Sequence, residues 1–131
     1  MFEHVSYIPV GSPSKGYLAS AETERDIPFE IRNVFWIFGV PPQTSRGGHA
    51  HRTLEQVFFC LKGELTFRLK NRRGKFLELV LNEMSQYGVL IEPWIWRELV
   101  DFAPDTILLC LSSESYQESE YIRDWEEYLN G

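Results

Sequence analysis

At 131 residues, 44% hydrophobic and 24% charged, the chain has the length and balance of one globular domain, residues 1–131, with a sizeable core. Thirteen basic residues against nineteen acidic ones leave a net charge of −6, which argues against a general nucleic-acid binder. A local basic site for one phosphorylated ligand stays open. No apolar run approaches the roughly 18 residues of a membrane span, and Met1-Phe2-Glu3-His4-Val5 lacks the basic and apolar regions of a signal peptide. A cytoplasmic protein with no membrane partner is expected.

In chain order, Val5 to Pro9 reads as a short strand, Gly11 to Gly16 as a turn cluster, and Tyr17 to Ala21 as a second short strand. Glu22 to Asp26 is a charged loop. Ile27-Pro28-Phe29-Glu30-Ile31 leads into Val34-Phe35-Trp36-Ile37-Phe38, a β-prone run that Pro41-Pro42 ends, because proline cannot donate to a ladder. Arg46-Gly47-Gly48-His49-Ala50-His51 follows. Its two histidines are two residues apart, so on a strand both imidazoles point to one face.

Val57-Phe58-Phe59-Cys60-Leu61 is a buried run. Lys62-Gly63-Glu64 turns the chain into a clean alternation, Leu65, Phe67 and Leu69 on one face and Thr66, Arg68 and Lys70 on the other. Asn71 to Gly74 reads as a hairpin loop before Phe76 to Leu81. Gly88 to Ile91, Trp96 to Phe102 and Thr106 to Leu111 are further strands, separated at Glu92-Pro93 and Ala103-Pro104-Asp105. Cys60 and Cys110 both stand in apolar runs and read as buried free thiols. Tyr121, Ile122, Trp125, Tyr128 and Leu129 have helical spacing and predict a C-terminal helix. Many short strands between Gly/Pro turns predict an all-β sandwich or barrel.

Glu55 and Gln56 have opposite strand parity, so only one of them is expected to face the histidines. Arg68, Lys70, Arg72 and Arg73 read as a solvated basic edge that discourages strand pairing. Trp36, Trp94 and Trp96 suit either stacking on a ligand or core packing.

The order of parts resembles a cupin, an antiparallel jelly-roll barrel. His49, His51, Glu55 or Gln56, and Gly63 follow the first cupin motif, whereas Pro93-Trp94-Ile95-Trp96-Arg97 lacks the histidine of the second. Three imidazoles and a carboxylate would be needed for a metal cupin, and the remaining histidine, His4, is at the far N-terminus. No metal is expected.

The chain is most similar to the WxcM-like cupins, nucleotide-sugar 3,4-ketoisomerases. The segments that carry the resemblance are Ile27-Pro28-Phe29-Glu30-Ile31, Arg46-Gly47-Gly48-His49-Ala50-His51, Leu54-Glu55-Gln56-Val57, Glu92-Pro93-Trp94-Ile95-Trp96 and Glu118 to Trp125. The resemblance implies a metal-free, cofactor-free homodimer that exchanges N-terminal strands and acts on dTDP-4-keto-6-deoxy-D-glucose, moving the keto group from C4 to C3. It implies products that feed 3-amino-3,6-dideoxy sugars of surface polysaccharides. It implies a tyrosine in the strand where this chain has Phe35-Trp36, and the pair Tyr17 and Arg97 leans to dTDP-3-keto-6-deoxy-D-glucose as product.

A keto shift between neighbouring carbons is a proton rearrangement through an enediol, so it needs a base and a proton shuttle rather than a redox cofactor. No Gly-x-Gly-x-x-Gly is present. Histidine has the right pKa for both tasks. His51 is the expected base at C3 and His49 the shuttle at the oxygens, although spacing alone leaves the roles interchangeable. Arg46 is the candidate for the phosphates, Arg97 for the sugar or a phosphate, and Tyr17, Gln56 and Trp36 for further substrate contacts. Two alternatives are a non-catalytic nucleotide-sugar-binding cupin and a cupin sugar epimerase, whose His–Asp pair fits these histidines less well.

Overall fold

The protein is described here by a computed structural model covering residues 2–9 and 18–131. Its strands are β1 (Val5–Pro9), β2 (Asn33–Phe38), β3 (Arg46–His51), β4 (Gln56–Lys62), β5 (Glu64–Lys70), β6 (Phe76–Asn82), β7 (Tyr87–Ile91), β8 (Trp96–Val100), β9 (Ile107–Ser112) and β10 (Tyr121–Ile122). One helix, α1 (Trp125–Asn130), follows. The strands form two five-stranded antiparallel sheets, ordered β1-β7-β4-β9-β2 and β10-β3-β8-β5-β6. Together they make an all-β barrel of the kind the strand pattern predicts, the jelly roll that the cupin resemblance implies.

Alternation decides which side chains fill the space between the sheets. On β5, Leu65, Phe67 and Leu69 are fully buried, while Arg68 on the opposite face pairs with Glu78 at 3.1 Å. Phe58, Val89, Ile91, Leu99, Leu108 and Cys110 join them from the other strands. Burying each such side chain stabilises the fold by about 1.5–3 kcal/mol relative to exposure. Both cysteines are free and buried, as the apolar runs predicted.

The segment 18–31 does not continue the sheets. Leu18 to Ala21 forms no strand, contrary to expectation, and Leu18 makes only an isolated bridge. Ile27 and Phe29 instead fold over the outer face of the first sheet, against Val57, Leu90 and Leu111. Thr23 fastens this flap, its hydroxyl donating to the Phe29 carbonyl and accepting from the Ile31 amide.

The C-terminus departs most from expectation. Tyr121 and Ile122 lie in β10, paired with His51 and Ala50, rather than in a helix. Helical spacing there coincides with a two-residue alternation: Ile122 is buried on the outer face with Ala50, Trp96 and Tyr128, and Tyr121 points inward. The helix starts only after Asp124, whose carboxylate caps it by accepting from the Glu126 amide at 3.2 Å. Among the described residues, no helix is long and apolar enough to cross a membrane.

Candidate active site

The site begins with an irregularity in β3. Arg46 lies opposite Leu99 and Gly47 opposite Glu98, but His49 lies opposite Arg97, so one extra residue is inserted. A bulge of this kind reverses the parity of everything after it. Arg46 and His49, three residues apart, therefore face the same side. Glycine makes this possible: Gly47 has φ of +88°, and a Cβ there would lie 2.8 Å from the Arg97 carbonyl oxygen.

The resulting cleft, about 310 Å³, opens at one end of the barrel. Arg46, His49, Gln56, Arg97, Tyr121 and Arg123 supply its polar lining, and Phe35, Ile37, Phe58 and Leu99 its apolar wall. A few convergent polar groups on an apolar wall suit a small-molecule site.

His49 and His51 meet edge to face with ring centroids 4.8 Å apart. His51 is fully buried, and among the described residues neither of its ring nitrogens has a hydrogen-bond partner, nor does Nδ1 of His49. Burial, and then the Arg97 charge, push the His49 imidazole down to about 3 and the His51 imidazole to about 2. Both rings are neutral at pH 7. Unprotonated and unengaged, they are available as bases.

Arg97 is the unusual charge of the molecule. Its side chain is buried inside the barrel, Nη1 donating to Gln56 Oε1 at 2.7 Å and Nη2 to the Ile95 carbonyl at 3.0 Å. Its Nε has no partner, and among the described residues no carboxylate pairs with it. Burial lowers its pKa to about 10, so it stays charged at neutral pH. A buried cation without a counter-ion is costly; here it is stored beside two neutral imidazoles, ready for an anion. Gln56 is the inward member of its pair. Glu55 is held from its backbone, its amide donating to Ser113 Oγ at 2.9 Å.

Arg46 lines the mouth of the cleft, exposed and outside any ion pair among the described residues. Trp36 is not brought to the histidines. It projects from the outer face of β2, 59% exposed, because Phe35 and Ile37 take the inward positions. Trp96 packs against Trp125 and Tyr128 under α1, and Trp94 stacks on Tyr128 with the Arg72 guanidinium 4.4 Å from its ring. Tyr17 lies outside the described residues.

Sequence reasoning missed the wall that the C-terminal segment contributes. Tyr121 stands opposite His51 on β10, its ring centroid 4.5 Å from that of His51 and 4.8 Å from that of His49. Arg123 lies 4.2 Å over the Tyr121 ring and holds Glu118 through two hydrogen bonds, and Tyr116 donates to the same carboxylate. Glu120 pins the turn after His51, accepting from the Thr53 and Leu54 amides and the Thr53 hydroxyl. The signal available in the sequence is the segment from Glu118 to Trp125, which carries the family resemblance, although Tyr121, Ile122 and Trp125 within it have helical spacing.

A family model described as FdtA: WxcM-like, C-terminal matches residues 3–131. The chain belongs to this family. Over 115 residues it is 34% identical to the TDP-4-oxo-6-deoxy-alpha-D-glucose-3,4-oxoisomerase of Aneurinibacillus thermoaerophilus, covering 88% of this chain and 81% of that one. Among solved structures, a mutant of the 3,4-ketoisomerase QdtA from Thermoanaerobacterium thermosaccharolyticum, in complex with TDP-4-keto-6-deoxyglucose, superposes with a TM-score of 0.93. That match has 36% identity and covers 99% of this chain and 94% of that chain. The WlaRB TDP-quinovose 3,4-ketoisomerase from Campylobacter jejuni gives a TM-score of 0.92 at 30% identity, over 99% and 100% of the two chains. The fold of this chain is thus shared with proteins named as sugar 3,4-ketoisomerases.

Proposed function

We propose that this protein moves the keto group of dTDP-4-keto-6-deoxy-D-glucose from C4 to C3 through an enediol, with His49 and His51 carrying the protons. Family membership and the named relatives place the chain in the class of TDP-sugar 3,4-ketoisomerases. The observation that carries the chemistry is a pair of neutral imidazoles on one strand beside a buried, unpaired guanidinium. That arrangement suits proton abstraction next to a carbonyl, where a base must be unprotonated and the developing oxyanion needs a fixed positive charge.

In this reading His51 takes the proton from C3, which the C4 ketone acidifies. Neither of its ring nitrogens is engaged among the described residues, which supports this assignment. His49, on the cleft wall, works at the oxygens. Arg97 stabilises the negative charge that grows on O4, held in place by Gln56 and the Ile95 carbonyl. C4 is then protonated on the face opposite the one from which C3 lost its hydrogen, as the gluco product requires, and C3 becomes the ketone. Electrons stay within the sugar, so the reaction consumes no redox cofactor, and chelator should leave the rate unchanged. Arg46 meets the pyrophosphate at the cleft mouth.

The apolar outer positions of β2, Val34, Trp36 and Phe38, are 46–66% exposed on an edge strand. We assign them to a homodimer contact in which N-terminal strands are exchanged, so that Tyr17 reaches the partner's cleft. With Arg97 it sets the product as dTDP-3-keto-6-deoxy-D-glucose, for a pathway to deoxyamino sugars.

Incubation with dTDP-4-keto-6-deoxy-D-glucose in deuterated buffer, read by carbon and proton NMR, tests the reading. The expected result is a ketone carbon that moves from C4 to C3, with deuterium taken up at C4. Phe35, apolar where the resemblance implies a tyrosine, favours one rival: a binding cupin without catalysis. An unchanged sugar in the presence of tight dTDP binding would establish that rival instead.

A further inference from the structure

We propose that Tyr121 is a third catalytic residue, a phenol that carries a proton between the two sugar oxygens while a histidine works at carbon. The inference rests on the ketoisomerase reading above and adds to it.

Enclosure supplies the first argument. His51 has no exposed surface, and the aromatic rings packed on it are those of His49 and Tyr121, at 4.8 and 4.5 Å. Both of those rings line the cleft, and His51 lies behind them. The His49 and Tyr121 rings themselves meet with centroids 4.8 Å apart, so a sugar carbon reaches His51 only as those rings part, and the sugar meets Tyr121 in the same step. The backbone fixes this placement: Tyr121 is the direct antiparallel partner of His51, with both side chains on the inner face.

Proton inventory supplies the second. Forming the enediol requires a proton on O4 as one leaves C3, and both imidazoles begin neutral, so the N–H of His49 is a far weaker acid than a phenol placed beside it. Burial keeps the Tyr121 phenol protonated at neutral pH, and the Arg123 and Arg97 cations favour its transient phenolate. The hydroxyl is also uncommitted. Those of Tyr116 and Tyr128 are hydrogen-bonded, whereas that of Tyr121 makes no hydrogen bond among the described residues.

The steps balance. The C3–H bond breaks and its proton goes to the imidazole, while the C3 electron pair forms the C3=C4 bond and the C4=O π pair takes the phenol proton as an O4–H bond. The enediol is then flanked by imidazolium and phenolate. Next, O3–H returns its proton to the phenolate, C3=O forms, and the C3=C4 pair takes a solvent-derived proton on the face opposite the lost C3 hydrogen as a new C4–H bond, while the imidazolium releases its proton to solvent. Both residues end as they began.

Tyr121→Phe tests the proposal, because it keeps the ring that packs on both histidines and removes only the hydroxyl. Turnover of dTDP-4-keto-6-deoxy-D-glucose by wild type and variant, KM, dTDP affinity and thermal melting are measured together. The expected result is a kcat lower by on the order of 10²-fold or more, with KM and dTDP affinity changed by less than about threefold and an unchanged melt. A kcat close to wild type would overturn the proposal while leaving the isomerase reading intact. A variant that fails to fold would overturn it too, by making the hydroxyl structural. An inactive wild type would remove the isomerase reading and this proposal with it.

Discussion

Arg97 and Gln56 meet inside the barrel, Nη1 to Oε1 at 2.7 Å, from strands that belong to different sheets. That bond crosses the interior where a jelly roll would ordinarily place two apolar side chains. It orients the guanidinium toward His49 without neutralising it, since an amide oxygen brings no charge. A glutamate in place of Gln56 would cancel the field that the proposed oxyanion needs.

Arg97→Met makes this trade measurable. The substitution removes a buried, unpaired charge, which relieves a desolvation cost, and strands the Gln56 amide, which costs about 1–3 kcal/mol. The two nearly offset, so the melting temperature should stay within a few degrees of wild type. Turnover should fall by on the order of 10²–10³-fold, as when a fixed oxyanion donor is lost. A large fall in the melt with proportionate loss of turnover would show Arg97 to be structural.

The lowered histidine pKa values give a pH prediction with a definite sign. In the unfolded chain both imidazoles titrate near 6.5, whereas in the fold they remain neutral to about 3 and 2. Below pH 6.5 the unfolded state therefore binds more protons, and stability falls as pH falls, by up to about 1.4 kcal/mol per pH unit for each histidine. Between pH 6.5 and 5 the carboxylates contribute little, so the histidines dominate that window. Thermal melts of His51→Asn should show a shallower slope there than wild type. For the same reason kcat/KM should run flat from pH 7.5 to 5.5, with no acid limb near 6.5; such a limb would show that the free enzyme's base is an ordinary, solvated histidine.

Much of this could be read from residues alone, and the exceptions have physical causes. The alternation of Leu65, Phe67 and Leu69 fixes the face of β5, and the His49/His51 spacing fixes that of the histidines, because strand parity is local. The companionship of Arg46 with His49 was not legible as geometry: plain parity puts them on opposite faces, and only the bulge at Gly47 reverses it. The place of Tyr121 is not legible because a helical spacing and a two-residue strand look alike over so few residues, and the deciding partner, His51, is 70 positions away in the chain. Trp36 shows the converse, since an aromatic beside the right strand position turned outward once Phe35 and Ile37 took the core.

The bulge itself can be tested by comparing its two glycines. Both have positive φ, +88° at Gly47 and +73° at Gly48, so alanine at either pays a left-handed penalty of about 1–2 kcal/mol. At Gly48 an added Cβ meets nothing within 4 Å, whereas at Gly47 it comes 2.8 Å from the Arg97 carbonyl oxygen, a backbone atom of β8. Gly47→Ala should therefore melt well below Gly48→Ala. It should also lose activity beyond its loss of stability, because relief of the clash pushes β3 away from β8 and separates His49 from Arg97. Equal melts for the two variants would show that β3 tolerates the displacement.

Glu120 ties the C-terminal segment to the histidine strand, and its removal should be felt at His51. The carboxylate accepts from the Leu54 amide at 2.7 Å and also from the Thr53 amide and hydroxyl. The Arg52 amide in turn donates to the Glu120 carbonyl at 3.2 Å. On the other side of the strand end, the Trp94 amide donates to the His51 carbonyl at 2.8 Å, with Trp94 held at a φ of +63°. The backbone of His51 is thus clamped between two elements, and Glu120 supplies one jaw. Glu120→Gln keeps the shape but offers one acceptor oxygen where two were used, and it gives up the charge assistance of those bonds. A loss of about 1–3 kcal/mol in stability is expected. The decisive readout is kinetic: kcat should fall more than KM rises, because loosening the turn misaligns His51 while the ligand contacts proposed for Arg46 and Arg97 persist. If KM alone rises, the turn serves binding, and the clamp on His51 is not what Glu120 provides.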